Sequence, residues 1–486
     1  MKKFLTVLNL VLLITLVTLT LYVFDVIDIP WLRKTVEKSS QQNTLVTEEE
    51  TDTKVERKKG YDELIKKGDL YYEKGFYNLA VDSYTQASKM EPTKIEPLIR
   101  IGELQLILGN FEQAKNMGNE ILKKNPQTIK GKLIIGKADI GLENFTEAKT
   151  VIDGITSDDP EVAYYQGMLA VFSGEYERAR APFDLAIKNT TNPIISAYAQ
   201  GFINSMNEFD SYSAGQHIHL KVLLARSFVQ ADQPKLAKAL LWNVLGENRE
   251  YRDAWIILGY SYLKLKQYKD AVDALTEAKN RDPEKPETLF FLGLAYAGYD
   301  KTVEAIKELE LALKNGFEPK IYVEQKLAEL YFLIQEYDKA NTKYENVISM
   351  NSTDIDYFVR PIWIYIDKLN KPDKALALAE KAMINHPDDP KSFNLIGWAQ
   401  VAGNDFVNGK KNLEKALAMN EKFDAPYLNL GWMYERQNNL SKAKSLYKQA
   451  YEIGGIGSPV GDLAAQRYNA VIQKEKNNLF MVNIFN

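Results

Sequence analysis

Residues 252–285 read RDAWIILGYSYLKLKQYKDAVDALTEAKNRDPEK. Leu258, Tyr262 and Leu265 step by four and three residues, which places them on one face of a helix. Within this 34-residue stretch Trp255, Leu258, Gly259, Tyr262, Tyr268, Ala271, Leu275, Ala278 and Pro283 stand at positions 4, 7, 8, 11, 17, 20, 24, 27 and 32. Small residues at 8 and 20 permit two helices to approach closely. Larger ones at 4, 11 and 24 fill the space between neighbouring units. A proline near 32 ends the second helix, where its missing N–H breaks the ladder.

The same pattern recurs outward in both directions. Position 8 is held by Gly68, Gly102, Gly136, Gly167, Ala225, Gly259, Gly293, Ala328, Trp363, Gly397 and Gly431, mostly 34 residues apart. Position 20 is alanine in ten units, from Ala80 to Ala443, and Gly409 takes that place in the tenth unit. A periodic hairpin cannot bury its own apolar face, so successive units must stack.

These residues resemble the tetratricopeptide repeat family over residues 61 to about 457. The resemblance implies an all-α, right-handed superhelix, a solenoid of helix–turn–helix repeats. It also implies a groove lined by positions 2, 5, 9, 12 and 13 of each first helix. One subclass of the family grips a C-terminal carboxylate with Lys and Asn at fixed positions. Lys391 and Asn394 come nearest, but Trp398 stands at position 9, where that subclass has Asn.

Three features interrupt the period. A gap of 58 residues between Gly167 and Ala225 contains an insertion, 194–217, in which Ile195, Tyr198, Ala199, Phe202, Met206 and Phe209 follow helical spacing. It predicts an extra helix between arms of four repeats (61–193) and seven repeats (218–457), acting as a packed insert or as a hinge. Trp363 at a small-residue position predicts a shifted or splayed hairpin. Residues 458–486 read as a capping helix with Ser458-Pro459 at its start, then an apolar tail that either docks into a partner or packs back.

The N-terminal side is different in kind. Phe4 to Phe24 is an uncharged run of 21 residues, long enough as a helix to cross a bilayer core of about 30 Å. It exceeds the apolar core of a cleaved signal peptide, so residues 1–32 are expected to be an uncleaved transmembrane anchor. Lys2 and Lys3 ahead of it favour a cytoplasmic N-terminus and an extracytoplasmic array. Residues 33–60 are polar and are expected to form a flexible tether.

Composition removes most enzyme chemistry. There is no cysteine, which excludes disulfides, thiolate metal sites and cysteine nucleophiles, and there are only three histidines. His217 and His219 are two apart, so on a helix they point to different faces. Asp159 and Asp389 sit where helix caps belong. Net charge is −4, without the basic footprint of a nucleic-acid binder. The expectation is a non-enzyme with no cofactor and no metal, and with no nucleic acid partner.

The remaining chemistry is aromatic. At groove positions stand Tyr164, Met168 and Phe172 in the first arm, and Tyr260, Phe290, Trp398 and Trp432 in the second. Tyr260, Phe290, Trp398 and Trp432 are the candidate binding residues for extended or helical protein segments. The expected protein is a membrane-anchored scaffold or assembly factor, held in a bacterial cytoplasmic membrane through residues 4–24. The alternative is a cytosol-facing receptor or co-chaperone that delivers clients to the membrane.

Overall fold

The computed structural model describes residues 51–188, 192–211, 217–455 and 457–485, without the side chains of 51–57 and 476–485. The expected anchor at 4–24 lies outside them. Among the described residues all regular structure is helical, in twenty-four α-helices and one π turn, and no helix is long and apolar enough to cross a membrane. The chain divides into two compact units between Leu104 and Gln105.

The first unit contains α1 (Thr51–Glu73), α2 (Tyr77–Met90) and most of α3 (Glu96–Ile107). Helix α1 covers residues 51–60, ahead of the expected start of the array at 61, so these residues are helix and not tether. The physical reason is that polarity argues against a buried helix, not against a helix. Thr51–Lys59 is rich in Glu, Lys and Arg, good helix formers, and has no glycine or proline before Gly60.

The second unit continues with α4 (Phe111–Lys124), α5 (Ile129–Gly141), α6 (Phe145–Asp153), α7 (Pro160–Phe172) and α8 (Tyr176–Ile187). Next come α9 (Pro193–Asp210), α10 (His217–Gln230), α11 (Pro234–Glu247), α12 (Arg252–Lys264), α13 (Tyr268–Arg281), α14 (Pro286–Gly298) and α15 (Thr302–Lys314). Then follow α16 (Lys320–Leu333), α17 (Tyr337–Met350), α18 (Asp356–Trp363) with a π turn at Ile364–Lys368, and α19 (Pro372–Asn385). The last are α20 (Pro390–Ala402), α21 (Phe406–Met419), α22 (Asp424–Arg436), α23 (Leu440–Gly454) and α24 (Pro459–Phe485). Each repeat read from the sequence is one helical hairpin; α9 is the insertion and α24 follows the last hairpin.

The seam of each hairpin explains the small residues. A Cβ on Gly167 would lie 2.9 Å from the Phe183 ring, and one on Gly431 2.7 Å from Tyr447. Gly136 meets Ile152, Gly259 meets Leu275, Gly293 meets Leu309 and Gly397 meets Leu413 in the same way, each sixteen residues on. Ala80, Ala179, Ala271, Ala340 and Ala443, all at position 20, are 0% exposed. The helices are thus as close as backbone and Cβ atoms allow.

The turn inside each hairpin has its own requirement. Gly75, Gly109 and Gly174 at position 15 have positive φ, and so do Glu143, Asp232, Lys266, Asp300, Gln335, Asn370, Asn404 and Asn438. Position 15 is therefore left-handed in all eleven hairpins, although only three place glycine there.

The insertion is a packed insert. Ala199 and Phe202 on α9 are 0% exposed and Met206 is 2% exposed. Phe202 stacks on Phe183 of α8 at 5.0 Å and meets Phe228 of α10 at 5.0 Å, so the aromatic core runs through the interruption. Beyond it the chain turns back: Lys238 of α11 pairs with Glu143 at 2.8 Å, and Lys235 donates to the Gly141 carbonyl.

Candidate functional site

An apolar-walled cavity of about 710 Å³ lies among the first helices of the last three hairpins, α18, α20 and α22, and is closed at one end by α24. Trp363, Trp398 and Trp432 line it, one from each first helix. Val359, Leu428 and Leu463 add aliphatic surface, and Leu463 is 41% exposed.

The π turn brings Trp363 to this place. Elsewhere the hairpin-turn hydrogen bond spans five residues, as from Gln267 N–H to the Tyr262 carbonyl or from Asn439 to Tyr434. In the ninth hairpin Lys371 N–H reaches the Tyr365 carbonyl, six residues back. One extra residue is accommodated inside the first helix, as a π turn does. Ile355 already has helical angles (φ −62°, ψ −24°), so the repeat starts there and Trp363 is its ninth residue. Trp398 and Trp432 are ninth in theirs. Trp363 is therefore not at the small-residue position; the hairpin is shifted by one residue. Pro361, which has no N–H, and Asn341, whose side chain donates to the Pro361 carbonyl at 3.1 Å, mark the place of the shift.

Beneath the tryptophans, buried Asn429 donates to the Asn394 side-chain oxygen at 2.9 Å. Arg436 lies over the Trp432 ring at 5.1 Å and donates to the Asn404 side chain at 2.6 Å. Arg360 and Lys368 lie over Trp363 at 5.8 and 5.0 Å. Lys391 and Asp356 form an ion pair at 2.5 Å on the lining. Tyr447 closes the floor and donates to Glu435 at 2.6 Å; burial, then that bond, pushes its phenol well above the usual range. The lining is aromatic and aliphatic with mixed charge, suited to side-chain insertion. None of its groups forms a nucleophile–base pair, and among the described residues no three His, Asp or Glu side chains gather as a metal site.

Of the four candidate residues, the structure brings Trp398 and Trp432 together in this cavity. Tyr260 is half-buried and stacks on Phe291 at 4.8 Å, away from it. Phe290 is 9% exposed and stacks on Phe317 at 4.2 Å, so it is a core residue and not part of a groove surface. The first arm differs as well. Tyr164 is 2% and Met168 0% exposed, and Phe172 packs against Phe145 and Phe228. The inserted α9 covers that face, so aromatic spacing alone was misleading there. Sequence reasoning missed Trp363; the 35-residue step from Ala328 to Trp363 carried the signal, read as a departure at position 8 instead of an extra residue.

The histidines and aspartates have local structural partners. His219 Nδ1 bonds the Tyr251 hydroxyl at 2.8 Å and His386 Nε2 meets the Ser352 carbonyl at 2.8 Å. Asp159 accepts the Glu161 N–H at 2.8 Å and Asp389 the Lys391 N–H at 2.8 Å, each capping a helix.

Stacked helical hairpins with an aromatic cavity on their first helices define the class: an α-helical repeat protein built for contact with other molecules. The chain carries tetratricopeptide repeats: residues 222–286 and 425–453 each match a model described as tetratricopeptide repeat. No curated protein matches it in sequence. Among solved structures it is similar to the APC/C hetero-tetramer Cut9–Hcn1, at 10% identity over 85% of this chain and 96% of that one, with TM-score 0.30. It is also similar to yeast Tom70, at 15% identity over 86% and 97%, with TM-score 0.28. A third is PilW, a type IV pilus biogenesis factor, at 15% over 42% and 94%, with TM-score 0.33.

Proposed function

We propose that this protein is a non-catalytic, membrane-anchored scaffold or assembly factor that holds apolar segments of partner proteins in the groove of its last three repeats. The observation that carries the reading is the placement of Trp363, Trp398 and Trp432 around one cavity of about 710 Å³. That volume lies within the range of specific binding pockets, and tryptophan is the side chain most often found at binding hot spots. The uncharged run Phe4–Phe24 supports the anchor, and Lys2 and Lys3 support an extracytoplasmic array; the right-handed superhelical path is what the family resemblance implies. Tethering raises the local concentration of whatever the groove holds.

The test is in-cell photocrosslinking from positions 363, 398 and 432, with exposed position 407 as the control. One heterologous partner trapped from all three groove positions and not from 407 is the expected result. Equal capture from 407, or self-adducts alone, would reject groove binding. Protease added to intact protoplasts should digest the array; protection would instead place it in the cytosol, as a receptor.

A further inference from the structure

The first hairpin departs from a rule that the other ten keep. Position 16, directly after the left-handed turn residue, is polar in all ten, as in Asn110, Gln267 and Asn439. In the first hairpin it is Phe76, 54% exposed. Position 19 is polar in nine of the others, and in the tenth it is Leu236, which is 0% exposed. In the first hairpin it is Leu79, 47% exposed. Tyr71 and Tyr72 complete the cluster: Tyr71 meets the Phe76 ring edge-on at 6.5 Å, and Tyr72, 46% exposed, tilts against Tyr77 at 5.9 Å. Lys67 lies over Tyr71 at 5.8 Å, and Lys74 and Glu73 are exposed at the same turn.

Single exposed apolar side chains are ordinary on a protein surface and need no account. Two exposed apolar replacements at one hairpin turn, at positions that are polar or buried in the sister turns, with tyrosines and lysines beside them, form a patch of defined chemistry. Tyrosine and lysine have apolar bodies and polar ends, the combination that suits the layer between lipid headgroups and acyl chains. Position in the chain selects the bilayer as occupant. Only residues 25–50 separate the apolar run from Thr51, so that end of α1 stays within about 90 Å of the membrane whatever their path. The turn end of the hairpin lies at most about 35 Å further away, the length of α1.

We infer that the turn end of the first hairpin, through Tyr72, Phe76 and Leu79, rests in the headgroup layer of the bilayer that holds residues 4–24. This rests on the anchoring reading above. The hairpin then meets the membrane as a second contact, and its lysines face anionic headgroups while Glu73 offsets part of that attraction.

The chain contains no cysteine, so single-cysteine labelling of the full-length protein is clean. Phe76→Cys, Leu79→Cys and Gln86→Cys carry an NBD fluorophore in vesicles of phosphatidylcholine and phosphatidylglycerol with a doxyl-labelled lipid as quencher. Position 86 is exposed on the same helix, about 15 Å from 76 along its axis. The expected result is loss of emission at 76 and 79 and none at 86. Dim, red-shifted, solvent-like emission at all three that the doxyl lipid does not quench, from protein that floats with the vesicles, overturns the footing and leaves the anchor standing. A blue-shifted label at 76 that lipid does not quench means a protein surface covers the patch, which also overturns it. Protein that does not float with vesicles overturns footing and anchor together.

Discussion

Asn429 on α22 donates its side-chain amide to Asn394 on α20 at 2.9 Å, and both are buried beneath Trp398 and Trp432. This bond joins the last two hairpins directly under the cavity. Asn429→Leu removes the donor and leaves the Asn394 oxygen unsatisfied, an expected loss of about 1–3 kcal/mol. Replacing both residues by leucine should recover part of that loss, because neither polar group then remains unpaired. Hydrogen exchange of α20 and α22 measures it; strictly additive single and double variants would show that the bond couples nothing.

Gly259 faces Leu275 so closely that a Cβ would overlap the leucine side chain. Gly259→Ala is expected to destabilise α12 and α13 by about 1–3 kcal/mol through overpacking. Adding Leu275→Ala should return part of this loss. Urea unfolding followed by circular dichroism reads both variants, and a fully stable Gly259→Ala protein would contradict the seam geometry.

Lys266 has φ 58° at its hairpin turn, a conformation that glycine adopts without strain. Lys266→Gly is therefore expected to be neutral or stabilising, by up to about 1 kcal/mol, where glycine in an ordinary turn would weaken the protein. Asn370 (φ 50°) already tolerates the region, so Asn370→Gly should change less. A clear drop in melting temperature for Lys266→Gly would refute the left-handed turn.

Glu161 receives Lys130 at 2.7 Å and is also paired with Lys137. Burial works to raise its pKa, but Lys137 and Lys130 outweigh burial and hold the carboxyl below its ordinary value of 4.5. A depressed carboxylate stabilises the folded state above the unfolded pKa, and the contribution disappears as pH falls through the folded pKa. The stability difference between the parent and Glu161→Gln should be full at neutral pH and shrink below about pH 4.5. A difference that stays constant into acid would mean the pairs contribute nothing.

Much of the fold was legible because a repeat states its rule many times. Gly68, Gly136 and Gly259 mark the same seam, and Ala80 to Ala443 mark the second helix, so one misread unit cannot hide the period. The site was only half legible. Trp398 and Trp432 were readable as position-9 aromatics on neighbouring first helices. Phe290 and Tyr164 shared that kind of spacing, yet Phe317 covers the one and α9 lies over the other. Periodicity says which way a side chain leaves its own helix and is silent on what else comes to cover it.

By itself the sequence determined the hairpins, their order and the close seam between paired helices, since all of these depend on residues a fixed distance apart in one chain. Tertiary structure alone decided that α9 packs as core, that residues 51–60 are helical, and that Trp363 joins Trp398 and Trp432 in one cavity. That last outcome turns on a single extra residue taken up as a π turn beside Pro361. A change of one residue rotates a helical side chain by about 100°, enough to move an indole from a buried seam to an open groove.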